Sequence, residues 1–292
     1  MSLFSYHKPK SIPEASAIAE SYHFRVKYLA GGTDLLVHIK NGTVDPEAVI
    51  DLKSLDDLDQ KIEIRGSNLH IGALASFSSI QNDPLCAQHF PALVEAAASV
   101  GTVQIRNRGT IGGNVCNASP AADTLPPLFV YEAEVTINGS KGQRTLPIRD
   151  FLLGPGKTIL AEGEILSSLE IPLPTTAEGS GFSRMTRRWG ADLAVINICC
   201  RVLASTNTVF FAVGAAAPVP FVVVDDSGLL LSPSASDKSK HTQIESLMTA
   251  ASPIDDVRAS KEYRQGMLVV LAERTLARAI ERLGLQDKDR TR

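Results

Sequence analysis

The sequence predicts an α+β chain built in two parts. Three features point there: a small strand–helix unit in the first 52 residues, alternating hairpin-like segments after it, and a polar stretch (PTTAEGS, residues 174–180) that separates this part from a strand meander and a long terminal helix. The 292 residues are 44% hydrophobic and 21% charged, with a formal net charge of −3. That is enough apolar material for a core, and too little cationic surplus for a nucleic-acid partner. The best candidate for a local basic patch is Arg106-Asn107-Arg108-Gly109. No apolar run is long enough to span a bilayer, and the opening MSLFSYHKPK has no apolar signal core, so a cytoplasmic location is expected. Four cysteines without CxxC spacing offer no zinc or iron–sulfur site. Cys199 and Cys200, adjacent on an expected strand, should face opposite sides.

In chain order, residues 13–22 read as a helix, with Ser11 and Glu14 in capping-box spacing and Pro13 in the first turn. Residues 26–30 read as a strand running into Gly31-Gly32. Thr33 is placed to cap a helix through Lys40, which Asn41-Gly42 ends. Residues 48–52 give a further strand. Residues 61–65 and 69–73 alternate around Gly66-Ser67-Asn68, a hairpin pattern. Residues 76–82 and 91–100 read as helices, the second stopped by Gly101. Residues 101–123 lack periodicity and read as one long loop, a feature more often functional than idle. Asp123 is expected to cap a helix through Tyr131. Residues 134–137 and 144–148 suggest a hairpin around Asn138-Gly139, and 164–171 a strand closed by Pro172. Beyond the linker, 182–186, 193–203 and 208–213 form the meander, 219–231 is ambiguous, and 232–240 reads as a mobile loop. Apolar spacing from Tyr263 to Leu283 is helical, with Ser260 as cap and Gly284 as stop. The expected parts are 1–175, with lobes of about 1–55 and 56–175, and 176–292.

Two segments suit chemistry. Leu29-Ala30-Gly31-Gly32-Thr33-Asp34-Leu35 carries a strand into two glycines and a helix start, which reads as an anion cradle or as an ordinary tight turn. Thr110-Ile111-Gly112-Gly113-Asn114, followed by Asn117-Ala118-Ser119-Pro120 and Asp123, repeats the paired glycines with polar side chains; it reads as a second cradle or as an irregular loop. Two such loops match the two phosphates of a pyrophosphate. Gly156-Lys157-Thr158 is not a P-loop, because Phe151 stands where that motif needs glycine, and no G-x-G-x-x-G follows a strand. The six histidines are scattered, and Arg184, Arg187 and Arg188 cluster near Trp189.

YLAGGTDLL at 28–36 and TIGGNVCNASPAAD at 110–123 resemble the FAD-binding medium subunits of the xanthine dehydrogenase and carbon monoxide dehydrogenase family of molybdenum hydroxylases. Gln104 to Asn107, Gly154 to Thr158, Glu164 to Leu166 and the region from Arg184 to Ala194 extend the likeness over nearly the whole chain. The resemblance implies a two-lobed FAD-binding domain of the vanillyl-alcohol-oxidase (PCMH) type, followed by an α+β domain with a small antiparallel sheet. FAD would lie between the lobes. Ala30 to Leu35 and Thr110 to Asn114 would wrap its pyrophosphate through backbone amides, with Leu29 beside them. Asp123 would bond ribityl or ribose hydroxyls, Ile111 and Leu166 would pack near the flavin, Arg184 would lie by the ring or phosphate, and Lys157 would be a further contact. The Trp189-Gly190 pair departs from the family's polar stretch after the paired arginines, and no cysteine-bearing insertion for an extra cluster is present.

The same resemblance implies an electron-transfer subunit. Molybdopterin and 2Fe-2S clusters would sit in a molybdopterin-binding and an iron–sulfur partner subunit, and electrons would leave FAD to NAD or another acceptor. No catalytic side chain is expected in this chain. Two other readings stand beside it: a stand-alone FAD-dependent oxidase of an alcohol or amine, and a non-catalytic flavin- or nucleotide-binding regulator. Gly32→Val and Gly112→Val are expected to abolish FAD retention by placing a side chain where phosphate would sit.

Overall fold

A computed structural model describes residues 3–188 and 190–290, with side chains placed through residue 284. The expectations attached to Trp189 therefore lie outside the described residues. The chain begins with a three-stranded parallel sheet, β1 (Ser5–His7), β2 (Val26–Leu29) and β3 (Ala48–Asp51), in the order β1-β3-β2. Every residue of the central β3 is buried. Helix α1 (Ile12–Ser21) joins β1 to β2 and buries Ile12, Ala15 and Ala19. Ser11 Oγ accepts from the Glu14 amide as expected, but the Glu14 carboxylate reaches back to the Lys10 amide, one residue outside the usual box. Helix α2 (Leu35–Lys40) starts after Asp34 with no side-chain cap. The expected Thr33 cap is therefore corrected: its place in the turn precedes the helix by two residues.

The second lobe is a five-stranded antiparallel sheet. Its strands are β4 (Ile62–Arg65), β5 (Asn68–Gly72), β6 (Glu134–Gly139), β7 (Gly142–Pro147) and, after a ribbon of β8 (Leu152–Gly154) and β9 (Lys157–Thr158), β10 (Ile165–Pro172). The order β4-β5-β10-β6-β7 places the last strand at the centre. The β6–β7 turn falls at Ser140-Lys141, two residues beyond the expected Asn138-Gly139, because Gly139 pairs with Gly142. The Asn138 amide group donates to Ser167 Oγ at 2.6 Å, which holds Asn138 within the strand.

Between β5 and β6 the chain forms α3 (Phe77–Asn82), α4 (Pro84–His89), α5 (Pro91–Ser99), α6 (Val103–Arg106), α7 (Ile111–Asn117) and α8 (Leu125–Val130); α9 (Ile148–Phe151) follows β7. The expected long loop at 101–123 thus holds two short helices. Thr102 caps α6 and Thr110 caps α7 through their hydroxyls. Helices of four and seven residues are too short to show a period in sequence. Asp123 does not cap α8, which begins after Thr124 without a side-chain bond.

The carboxy-terminal part is an antiparallel meander of β11 (Glu178–Met185), β12 (Ile196–Leu203), β13 (Thr208–Gly214) and β14 (Phe221–Asp225), followed by α10 (Asp237–Met248) and α11 (Lys261–Arg290). Strand β11 begins inside the expected linker. Gly179 and Gly181 are contact glycines: a Cβ at Gly179 would stand 2.0 Å from the Ala279 carbonyl of α11. Small residues there let the helix lie close on the sheet. The expected mobile loop at 232–240 contains the start of α10, capped by Ser236. Ser260 does cap α11, but the helix continues through Gly284 instead of stopping there.

The meander is buried on both faces. One face packs on α5 and α8 of the amino-terminal part and the other on α10 and α11. Cys199 belongs to the first core and Cys200 to the second, as the alternation of a strand requires. Burial pushes both thiols well above the ordinary range, raises the Cys86 thiol likewise, and raises Cys116 to about 12. A thiol reagent at neutral pH is therefore expected to label none of the three buried cysteines, Cys86, Cys199 and Cys200, until denaturant is added; rapid labelling of any of these three in the native protein would contradict this packing. Glu95 of α5 anchors the junction, accepting from the Phe182 amide at 2.9 Å and from Arg282 at 2.6 Å. Among the described residues no helix is long and apolar enough to cross a membrane.

Candidate functional site

A cleft of about 820 Å³ opens where the small parallel sheet, the second lobe and the meander meet. This lies within the range of roughly 300–1,000 Å³ common for small-molecule and cofactor sites. Both glycine segments line it. Of the expected site residues, Ala30 to Leu35, Thr110, Gly112, Gly113, Asn114, Asp123, Leu166 and Arg184 are on its wall. Leu29, Ile111 and Lys157 are not. Leu29 turns its side chain toward the Gly32 position, and Ile111 is wholly buried in the core.

The first segment is a row of free donors. Beyond the end of β2 the chain turns through Gly32 at φ +77°, a conformation that favours glycine. The amides of Gly31, Gly32, Thr33, Asp34 and Leu35 find no acceptor among the described residues. Five consecutive unpaired N–H groups on one cleft wall form a concavity suited to an anion. Water satisfies them in the absence of a ligand; a phosphate satisfies them better, because it brings negative charge to several donors at once.

The second segment contributes differently from what its sequence suggests. Its amides are already used: Ile111 donates to the Ala75 carbonyl at 2.9 Å, Gly112 to Ala73 at 3.0 Å, Gly113 to Thr110 Oγ1 at 3.1 Å and Asn114 to the Thr110 carbonyl at 3.0 Å. What the segment offers is a bare surface. Asn114 Oδ1 accepts from Thr124 at 2.6 Å, which leaves the amide end of that side chain as its free donor. The two segments touch. A Cβ on Gly31 would lie 2.1 Å from the Arg108 carbonyl, and one on Gly113 would lie 3.9 Å from Ala30 Cβ.

The glycines therefore have separate tasks. A Cβ on Gly112 would strike Ala73, at 2.7 Å from both its carbonyl oxygen and its Cβ, so this glycine serves helix-to-strand packing. A Cβ on Gly32 would meet the Leu29 and Leu36 side chains at 2.9 and 3.2 Å. The reason expected for Gly112→Val and Gly32→Val is thus corrected. Neither side chain would first occupy a phosphate position; one would break packing and the other would strain the turn.

Asp123 is buried at the far side of the cleft. Its Oδ2 accepts from Arg184 at 2.6 Å and its Oδ1 from Asn197 at 2.9 Å. Burial pushes this carboxyl above its ordinary value, against the pull of Arg184 and Asn197. Arg184 also donates to the Asp192 and Gly190 carbonyls, both at 3.3 Å. Since Arg184 and Asn197 stand on β11 and β12, this wall of the cleft is built by the carboxy-terminal part. Arg187 and Arg188 lie 3.9 and 3.8 Å from Asp192 Oδ2. Sequence reasoning missed Tyr28 and Asp192. Both line the cleft, and Tyr28 Oη and Asp192 Oδ2 are buried without a hydrogen-bond partner among the described residues. Burial raises the Tyr28 hydroxyl to about 12, so it is a neutral donor in the cleft wall. Orphaned polar atoms of this kind mark a place built for a polar ligand. The residues present fit FAD: free amides for its pyrophosphate, a buried carboxylate for hydroxyls, and the apolar Leu166 beside them.

Comparison with known proteins gives the same assignment. Residues 2–174 match the family model described as FAD binding domain in molybdopterin dehydrogenase, and residues 180–279 match the CO dehydrogenase flavoprotein C-terminal domain. The chain is 31% identical to the carbon monoxide dehydrogenase medium chain of Hydrogenophaga pseudoflava over 278 residues, covering 94% of this chain and 96% of that one. It is 29% identical to a xanthine dehydrogenase FAD-binding subunit of Escherichia coli O157:H7 over 285 residues, covering 96% and 97%. Among solved structures it superposes on carbon monoxide dehydrogenase from Hydrogenophaga pseudoflava with a TM-score of 0.89 at 28% identity, covering 96% of this chain and 98% of the other.

Proposed function

The chain belongs to the FAD-binding medium subunits of the molybdenum hydroxylases, and from that premise we propose that it passes electrons from the iron–sulfur clusters of a partner subunit, through FAD held in the cleft, to NAD or another acceptor. Bound FAD supplies the redox chemistry, taking up and releasing electrons singly or in pairs. The chain's own residues bind and orient. The amides of Gly31 to Leu35 would hold the pyrophosphate and the bare wall at Gly113 would let it approach. Asp123, kept in place by Arg184 and Asn197, accepts hydroxyl donors. The observation that carries this reading is the run of five unpaired amides facing a glycine wall from a distant part of the sequence. A molybdopterin-binding partner subunit would supply the electrons.

The test is direct. Purified chain reconstituted with excess FAD and desalted should keep flavin absorbance, and reduced iron–sulfur partner should bleach it. Protein that emerges colourless overturns the cleft assignment. Protein that keeps FAD but never exchanges electrons with any cluster-bearing partner overturns the electron-transfer role alone.

A further inference from the structure

We propose that Lys53, which lies outside the cleft wall, is a positioning residue that aims the free amides of the first glycine segment into the cleft. The inference deepens the cradle reading of residues 31–35 and rests on it. Strand β3 ends at Asp51, which pairs with Leu29 at the end of β2. A 3-10 turn over Leu52–Ser54 then folds the chain back, opened by the Lys53 amide donating to Asp51 Oδ1 at 3.0 Å. The turn brings Lys53 Nζ under the glycine segment. There it donates to the Ala30 carbonyl at 3.0 Å and the Leu29 carbonyl at 3.4 Å, and it pairs with Asp51 Oδ1.

The geometry has a consequence for the next residue. In a planar trans peptide the C=O and N–H point opposite ways. A carbonyl of Ala30 held on Lys53 turns the Gly31 N–H to the other side, toward the cleft. Ala30 lies beyond the last residue of β2, so Lys53 is what fixes this peptide plane once the sheet ends. Asp51 holds the ammonium group in turn. It is buried, and its second oxygen accepts from Tyr6 Oη of β1 at 2.6 Å. All three strands of the parallel sheet thus meet at the peptide that starts the cradle. Lys53 is not a phosphate ligand: it is absent from the cleft wall and its charge is matched by Asp51.

The experiment titrates the apo protein with FAD and, separately, with riboflavin, which lacks the pyrophosphate. Lys53→Met should raise the FAD dissociation constant about tenfold, as loss of one charge-assisted hydrogen bond does, while riboflavin binding stays as in wild type. Lys53→Met also leaves the Asp51 carboxylate without its cation, so the single variant loses stability. The double variant Lys53→Met/Asp51→Asn removes that orphaned charge; it should regain stability yet keep the weakened FAD affinity. Unchanged FAD affinity in Lys53→Met, equal loss of FAD and riboflavin, or recovery of FAD affinity together with stability in the double variant would each overturn the positioning role. Wild-type protein that binds no FAD overturns the cradle reading itself, a separate outcome.

Discussion

Gly31→Ala is expected to release FAD from the purified protein and to lower its stability, although it adds only a methyl group. The added Cβ would sit 2.1 Å from the Arg108 carbonyl oxygen and 2.9 Å from the Gly109 Cα. These are backbone atoms, and the backbone of residues 105–109 is itself fixed: the Gly109 amide donates to Ile105, and the Gly109 carbonyl accepts from Phe77. Neither side of the contact has a flexible end that can yield. The two segments must move apart, and their contact is what makes the cradle and the glycine wall one site. Overpacking of this kind costs about 1–3 kcal/mol in stability. For the ligand the loss is larger, because several amides leave their aim together; a drop in FAD affinity of more than about 100-fold is expected, the equivalent of two lost charge-assisted bonds. Flavin absorbance after desalting, with the melting temperature of the apo protein, measures both. Gly113→Ala is the control. Its Cβ would meet only Thr110 Oγ1 at 2.9 Å and Ala30 Cβ at 3.9 Å, both side-chain atoms, so it should keep far more FAD. Equal retention by Gly31→Ala and wild type would show that the loops do not depend on this contact.

The contrast between these glycines shows what the sequence could reveal and what it could not. Gly31-Gly32 is legible as a tight strand-to-helix turn because the signal is local: a strand ends, φ must turn positive, and a helix begins within a few residues. Gly112-Gly113 carries the same letters, but its amides are taken by the Ala73 carbonyl and by its own Thr110 cap. Only the fold shows which strand passes beneath it. The same limit explains Asp123. In sequence it stands before a helix and reads as a cap, yet its partners Arg184 and Asn197 are 61 and 74 residues away. Gly179 reads as linker because flexibility and close approach use the same residue; the Ala279 carbonyl beside it decides between them. Gly284 failed as a stop because a glycine ends a helix only where the chain turns left-handed, and α11 continues through it. Helices α1, α5 and α11 are legible because their periods extend over enough residues to register, whereas α10, twelve residues long, starts inside a segment that reads as a loop.

Arg184→Met is expected to destabilise the protein by about 3 kcal/mol at neutral pH, the low end of what breaking a buried ion pair costs, and by much less in acid. Asp123 and Arg184 are both largely shielded from solvent, with side-chain exposures of 7% and 15%. The variant leaves the carboxylate buried with Asn197 as its remaining partner across the junction. The pH dependence follows from the direction of the shift. Burial already raises the Asp123 carboxyl above its ordinary value in the folded protein, and Arg184 pulls it back. An acid whose folded pKa exceeds its unfolded one binds its proton more tightly in the native state, so folding stability falls as pH rises between the two values. Removing the guanidinium raises the folded pKa further and widens that window toward neutrality. Below the ordinary carboxylate pKa of 3.8, Asp123 is protonated in both states and the variant should trail wild type only by the lost bonds to the Asp192 and Gly190 carbonyls. The difference should then grow through the mildly acidic range and level off once Asp123 is ionised in the folded variant. Asp123→Asn/Arg184→Met removes the titrating group and should make the difference from wild type nearly flat in that upper range. Urea unfolding of the four proteins across pH measures this, Asp123→Asn being the fourth. A deficit in Arg184→Met that is the same in acid and at neutrality would mean that Arg184 holds the wall by packing alone, with no part played by the Asp123 charge.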